Sequence, residues 1–225
     1  MKRARIILII IVFVIGFFGV AALILYLPDR KIRTHSPTEE FVAFLDFRVP
    51  KLMELYGIPG VNIALVKDGL IVYTAAYGEA NQKSGQKMTV DMPMRVQSIS
   101  KSVTAWAVLK LAEEGKLNLE DPVETYLKGW KLPASDYPPN GVTIKRLLCH
   151  TAGMPLGDVF TLYSPDEAMP SLKESLTHSA ILFQIPGKGF SYSNVGYNLL
   201  EFMIEEVTGR DFAEYMKNEI LYPLG

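Results

Sequence analysis

Four side chains in this 225-residue chain have the types and spacing of an activated nucleophile. They are Ser98 and Lys101 in QSISKSVTA, and Tyr192 and Asn194 in FSYSNVG. A serine hydroxyl attacks a carbonyl efficiently only when a neighbouring base takes its proton. A lysine three residues on shares a helix face with the serine. In an apolar helix its ammonium would be desolvated, which lowers its pKa and lets it serve as a base. A phenol near that lysine can relay a proton, and a carboxamide can hold both the lysine and a substrate carbonyl. A helix start at Ser98 would add free backbone N–H groups and partial positive charge for a developing anion.

Each piece also has a plainer reading. Ser98 could be a helix N-cap with Lys101 reaching out to solvent, Tyr192 the end of an extended segment, and Asn194 a second cap. With 12 serines and 15 lysines, chance supplies about one S-x-x-K match. Ser84-Gly85-Gln86-Lys87 is a second match, in a polar, glycine-containing stretch, and it is assigned no role. Context separates the two, because only Ser98 and Lys101 open a strongly helical segment.

The elements that must position these residues can be read along the chain. Apolar residues recur at helical spacing from Glu39 to Tyr56, with a kink or restart expected at Pro50. Val61–Lys67 and Leu70–Tyr77 read as strands joined by Asp68-Gly69, a strong two-residue hairpin signal. Gly78–Lys87 reads as a loop. Ser98–Glu114 is a predicted core helix, apolar over most of its circumference and capped by Gly115. Residues 116–141 carry four prolines and should be mostly irregular, with a short helical turn near Val123–Leu127. Thr143 is placed to cap a short helix over Ile144–Cys149. Glycines and prolines return between Gly153 and Pro186. Asn194–Thr208, ended by Gly209, and Asp211–Leu221 are the last predicted helices.

About half of the residues are apolar, enough for a substantial core, and the net charge of −1 gives no basic footprint for nucleic acid. The average hides a split: residues 1–33 carry a net of +5 and the remainder −6. Ile6–Leu27 is an uncharged run of 22 residues, long enough to cross the roughly 30 Å hydrocarbon core as a helix. It lacks the short apolar region and small-residue site of a cleaved signal peptide, so it reads as a signal anchor. The expected layout is residues 1–5 cytoplasmic, 6–27 spanning, 28–38 a tether and 39–225 an extracytoplasmic body, making a single-pass protein of the cell membrane. The lone Cys149 excludes an internal disulfide and reads as a packed small hydrophobe. His35 and His178 have no metal-ligand spacing.

The ordered set of motifs resembles the serine β-lactamase and penicillin-binding-protein superfamily, especially its class C-like branch, over Phe41–Gly225. YGIPGVNIALVKDGLIV is similar to the family's entry helix and first hairpin, and QSISKSVTA to its first catalytic motif. LNLEDPVETYL and IKRLLCHTAGMP are similar to its intervening signatures. PGKGFSYSNVGYNLLEFMIEEVTG is similar to its second catalytic motif, of Y-x-N type. The resemblance implies an α+β, β-lactamase/transpeptidase-like fold in which a helical region packs on an antiparallel sheet. It implies Ser98 as nucleophile with its own N–H in the oxyanion hole, Lys101 beside it, Tyr192 as general base and Asn194 as orienting residue. His150 falls in a signature that shapes a loop. No cofactor is implied. The implied substrates are small molecules or peptides: cell-wall peptides, β-lactams or esters.

The family's third motif, K-T-G or H-x-G on a strand lining the cleft, has no counterpart after Asn194. The sheet is therefore expected to be incomplete here, the chain being truncated, completed by a second polypeptide or a degenerate product, with truncation the favoured reading, and its activity alone is expected to be low. The competing reading is a non-catalytic penicillin-binding or interaction module.

Overall fold

The computed structural model describes residues 38–159, 161, 164 and 166–224, which divide between Met94 and Arg95 into two compact units. The expected span at 6–27, His35 and nearly all of the tether lie outside the described residues. Among the described residues no helix is long and apolar enough to cross a membrane.

The first unit opens with α1 (Thr38–Tyr56), whose first turn carries Glu39 and Glu40, favourable at the positive end of the helix dipole. The helix runs on through Pro50, so the expected restart does not occur. A proline costs one intrahelical hydrogen bond, and the adjacent Val49 is the buried residue that keeps this turn packed. Strands β1 (Gly60–Lys67) and β2 (Leu70–Asn81) form an antiparallel pair with a register shift at Leu65/Val66. Asp68 and Gly69 join them with φ of 52° and 77°, the left-handed pair that a tight hairpin needs. The Tyr73 and Tyr77 hydroxyls both donate to Asp46 Oδ1, at 2.8 and 2.6 Å, tying α1 to the hairpin.

The polar stretch read as a loop is a second hairpin. Strand β2 continues to Asn81 and pairs with β3 (Gln86–Lys87) in the sheet order β1-β2-β3. Gly78 makes this continuation possible: at φ 74° its Cα passes so close to the Pro59 carbonyl that any Cβ would collide. The second S-x-x-K match lies at this turn. Ser84 Oγ donates to the Asn81 carbonyl, and Lys87 pairs with Glu79 at 2.8 Å.

The second unit is helical. A 3-10 turn at Gln97–Ile99 leads into α2 (Ser100–Glu113), and Gly115 follows with φ 70°. The buried face of α2 is Thr104, Ala107, Val108 and Leu111. Trp106 and Leu109 are half-exposed, so the helix is less enclosed than its composition suggests. Helix α3 (Ile144–Leu148) is capped as expected, with Thr143 Oγ1 accepting from Arg146 N–H. Helix α4 (Leu172–Ser179) sits in the stretch read only as glycine- and proline-rich, and starts with a capping box between Ser171 and Glu174. Helix α5 (Asn194–Thr208) ends at Gly209 with φ 67°. Helix α6 (Phe212–Tyr215) passes into a π-helical turn, Met216–Leu221.

Leu111, Ile144, Leu147, Leu176, Leu199 and Met203 are fully buried in one core built from α2, α3, α4 and α5. Each such side chain contributes about 1.5–3 kcal/mol by leaving water. The core fixes the two helix starts that carry the candidate site.

Candidate active site

All four sequence-predicted residues converge, and all lie in the second unit. Ser98 is exposed in the 3-10 turn just before α2. It caps nothing, because no side-chain cap bond closes either that turn or α2. Gln97 before it has φ 49°, a left-handed conformation that costs a non-glycine residue on the order of 1–3 kcal/mol. Such strain persists only where the surroundings enforce it, and here it turns the chain sharply at the candidate nucleophile.

Lys101 lies one turn on. Its Nζ donates to Ser98 Oγ at 3.3 Å and to Asn194 Oδ1 at 2.8 Å. Asn194 is free for this because it is not the cap of α5. Ser193 is: its Oγ accepts from Gly196 N–H at 2.8 Å and donates to the Pro155 carbonyl at 2.6 Å. The cap fixes α5 against the loop after α3 and releases Asn194 to face α2.

Tyr192 completes the group. Hydrogen bonding to Ser98, then to Lys101, holds its phenol below the usual tyrosine pKa. Lys101 Nζ lies 5.0 Å from the Tyr192 ring centroid and 5.6 Å from that of Tyr197. A cavity of about 450 Å³ opens at Ser98 and runs between α2 and α5, with Thr104, Asn198 and Glu201 along its walls. Burial, then Glu205 and Asp211, raises the Glu201 carboxyl pKa.

His150 is the residue whose place here the sequence did not disclose. Its Nδ1 accepts from Ser193 N–H at 3.1 Å, and its ring lies 4.4 Å from the Tyr192 ring. Cys149 beside it is exposed, against the expectation of a packed thiol. It sits just past the short helix α3, where the packed face is carried by Ile144 and Leu147. Among the described residues no group of His, Cys, Asp and Glu side chains could hold a metal ion.

A serine bonded to a lysine, a carboxamide on the same lysine and a phenol whose pKa is lowered by the serine and the lysine thus stand together at the starts of α2 and α5. Residues 45–225 match the family model described as Beta-lactamase. The chain belongs to the β-lactamase family. Among the relatives of this β-lactamase-family chain is Protein flp of Staphylococcus aureus (strain NCTC 8325 / PS 47). It is 34% identical over 170 residues, covering 74% of this chain and 34% of that protein. The solved octameric penicillin-binding protein homologue from Pyrococcus abyssi aligns with a TM-score of 0.69 at 34% identity, over 82% of this chain and 43% of that one. A β-lactamase/D-alanine carboxypeptidase from Yersinia pestis, complexed with citrate, aligns with a TM-score of 0.65 at 25% identity, over 80% and 52%. The chain thus spans about a third of the length of the curated relative. The helices and the three-stranded antiparallel sheet are those of a β-lactamase/transpeptidase-like fold.

Proposed function

We propose that the chain carries the acylation centre of a membrane-anchored serine hydrolase that forms an acyl-enzyme on Ser98. The observation that carries this reading is the position of Lys101 Nζ, within hydrogen-bond reach of both Ser98 Oγ and Asn194 Oδ1. Tyr192 and Lys101 take the Ser98 proton as Oγ attacks an amide, lactam or ester carbonyl. The Ser98 backbone N–H donates to the oxyanion, and the leaving group departs with the proton that Tyr192 and Lys101 return. Water or an amine then releases the acyl group. Asn194 orients Lys101 and the substrate carbonyl.

The substrate class is a D,D-peptide, a β-lactam or an ester. Membership of the β-lactamase family supports it, as does the Yersinia relative described as both β-lactamase and D-alanine carboxypeptidase. The anchor rests on the uncharged run Ile6–Leu27 and its flanking Lys2, Arg3 and Arg5.

Activated esters test the reaction. The expected result is a burst of leaving group approaching one equivalent, followed by slow turnover. Steady release without a burst, unchanged by Ser98→Ala, would count against an acyl-enzyme on this serine. For the anchor, the chain should partition with membranes and resist salt extraction, and a variant starting at residue 28 should not.

A further inference from the structure

His150 stands outside the four residues just assigned, yet it grips Tyr192 from both sides. Its carbonyl accepts from Ser191 N–H at 2.8 Å and its Nδ1 from Ser193 N–H at 3.1 Å. The residues before and after Tyr192 are thereby fastened to one point. The imidazole also lies against the Tyr192 ring, 4.4 Å between centroids at 34°. Tyr197 at 5.2 Å and Phe190 at 5.8 Å hold the imidazole in turn. His150 reaches this position with φ 57°, a conformation that costs a histidine free energy.

The hydrogen bond fixes the protonation state. Nδ1 can accept from a backbone N–H only when the ring is neutral with its proton on Nε2. A second proton would set Nδ1–H against Ser193 N–H and add a cation close to Lys101. The ionisable groups around the ring are Lys101 from α2, Tyr192 from the segment before α5, Tyr197 from α5, and the adjacent Cys149 from the end of α3. Burial, then the charge of Lys101, holds His150 below the usual imidazole pKa, which fits a ring kept neutral.

We propose that His150 is the positioning residue of this site, holding Tyr192 against Ser98 and Lys101 as a neutral imidazole and releasing it when protonated. The inference rests on the acylation chemistry proposed above, because Tyr192 matters only if it handles the Ser98 proton.

The test compares the full chain with His150→Asn and His150→Phe. An asparagine tolerates the left-handed backbone and offers Oδ1 where Nδ1 accepts, but does not titrate. A phenylalanine keeps the ring contact and loses the acceptor. Two readouts are taken from about pH 5 to about pH 9 and above: the rate of Ser98 labelling by a fluorescent penicillin, and the Tyr192 phenol titration by ultraviolet difference against Tyr192→Phe. Wild type should lose labelling on the acid side with an apparent pKa below the usual imidazole value. His150→Asn should rescue labelling while erasing that acid limb. His150→Phe should label roughly tenfold to a hundredfold more slowly, with the phenol titration displaced toward that of free tyrosine. A phenylalanine variant with wild-type labelling and phenol titration would overturn the proposal, as would an acid limb unchanged in the asparagine variant. If the phenylalanine variant does not fold, the asparagine variant alone carries the test. If wild type takes no label, the acylation reading fails. The phenol titration then still decides whether His150 positions Tyr192.

Discussion

Lys101 Nζ and Asn194 Oδ1 meet at 2.8 Å across 93 residues of sequence, and their hydrogen bond joins the start of α2 to the start of α5. The same nitrogen is 3.3 Å from Ser98 Oγ. Asn194 is therefore coupled to the serine through Lys101, besides its proposed hold on the substrate carbonyl. Removing either should slow Ser98 acylation by about 10²–10⁴-fold. Removing both should cost clearly less than the product of the two single losses, since residues acting together are strongly non-additive. Stopped-flow acylation of Lys101→Ala, Asn194→Ala and the double variant checks this. Independent, multiplying losses would contradict it.

The Tyr192 phenol is held below its ordinary value of 10.0 by Ser98, then by Lys101. The base form is therefore populated at lower pH than for free tyrosine, and acylation should rise with pH through this depressed pKa, on a limb separate from the His150 limb and kept in His150→Asn. Replacing Lys101 by Met removes one of the two depressing partners and should push that limb upward. Tyr192→Phe should abolish the limb and lower the rate by about 10²–10⁴-fold. A pH–rate series on the three proteins measures both effects.

Glu201 has the opposite linkage. Burial, then Glu205 and Asp211, raises its pKa above the ordinary 4.5. The folded state then binds the proton more tightly than the unfolded state. That contribution is intact below the unfolded pKa and is lost as pH rises through the folded one. At neutral pH the ionised carboxylate opposes folding. Glu201→Gln should raise the thermal midpoint at neutral pH and leave it nearly unchanged at about pH 4. A lower midpoint at neutral pH would show that Glu201 makes a favourable ionic contact.

Gly153, three residues past His150, has φ 79°, and a Cβ there would collide with the Gln184 carbonyl. Gly153→Ala should destabilise the fold by about 1–3 kcal/mol from the backbone strain alone. It should also slow Ser98 labelling, because the same loop carries the Pro155 carbonyl that receives the Ser193 cap. Chemical denaturation and labelling kinetics read the two effects separately.

Much of this was legible in the sequence because it rests on local backbone physics. Gly115, Gly209, Thr143 and the Asp68-Gly69 turn each fix a few residues' dihedrals, and each stands where expected. The pairing of Ser98 with Lys101 was legible for the same reason, since three-residue spacing is a helical property. The capping box at Ser171 and Glu174 carried an equally local signal, which the surrounding glycines and prolines masked. Other features are contacts between distant segments. No local pattern shows that Gly78 lets β2 run on past the Pro59 carbonyl, or that Gln97 is forced to φ 49°. The place of His150 depends on the meeting of residues 43 apart, and sequence spacing says nothing about that.

The central claim is that Ser98, and not the superficially similar Ser84, is the nucleophile. Intact-mass and peptide mass spectrometry after incubation with a fluorescent penicillin tests it most directly. One adduct per chain on the peptide containing Ser98, absent in Ser98→Ala and kept in Ser84→Ala, is the predicted result. No adduct on the Ser98 peptide, or one that survives Ser98→Ala, would contradict it.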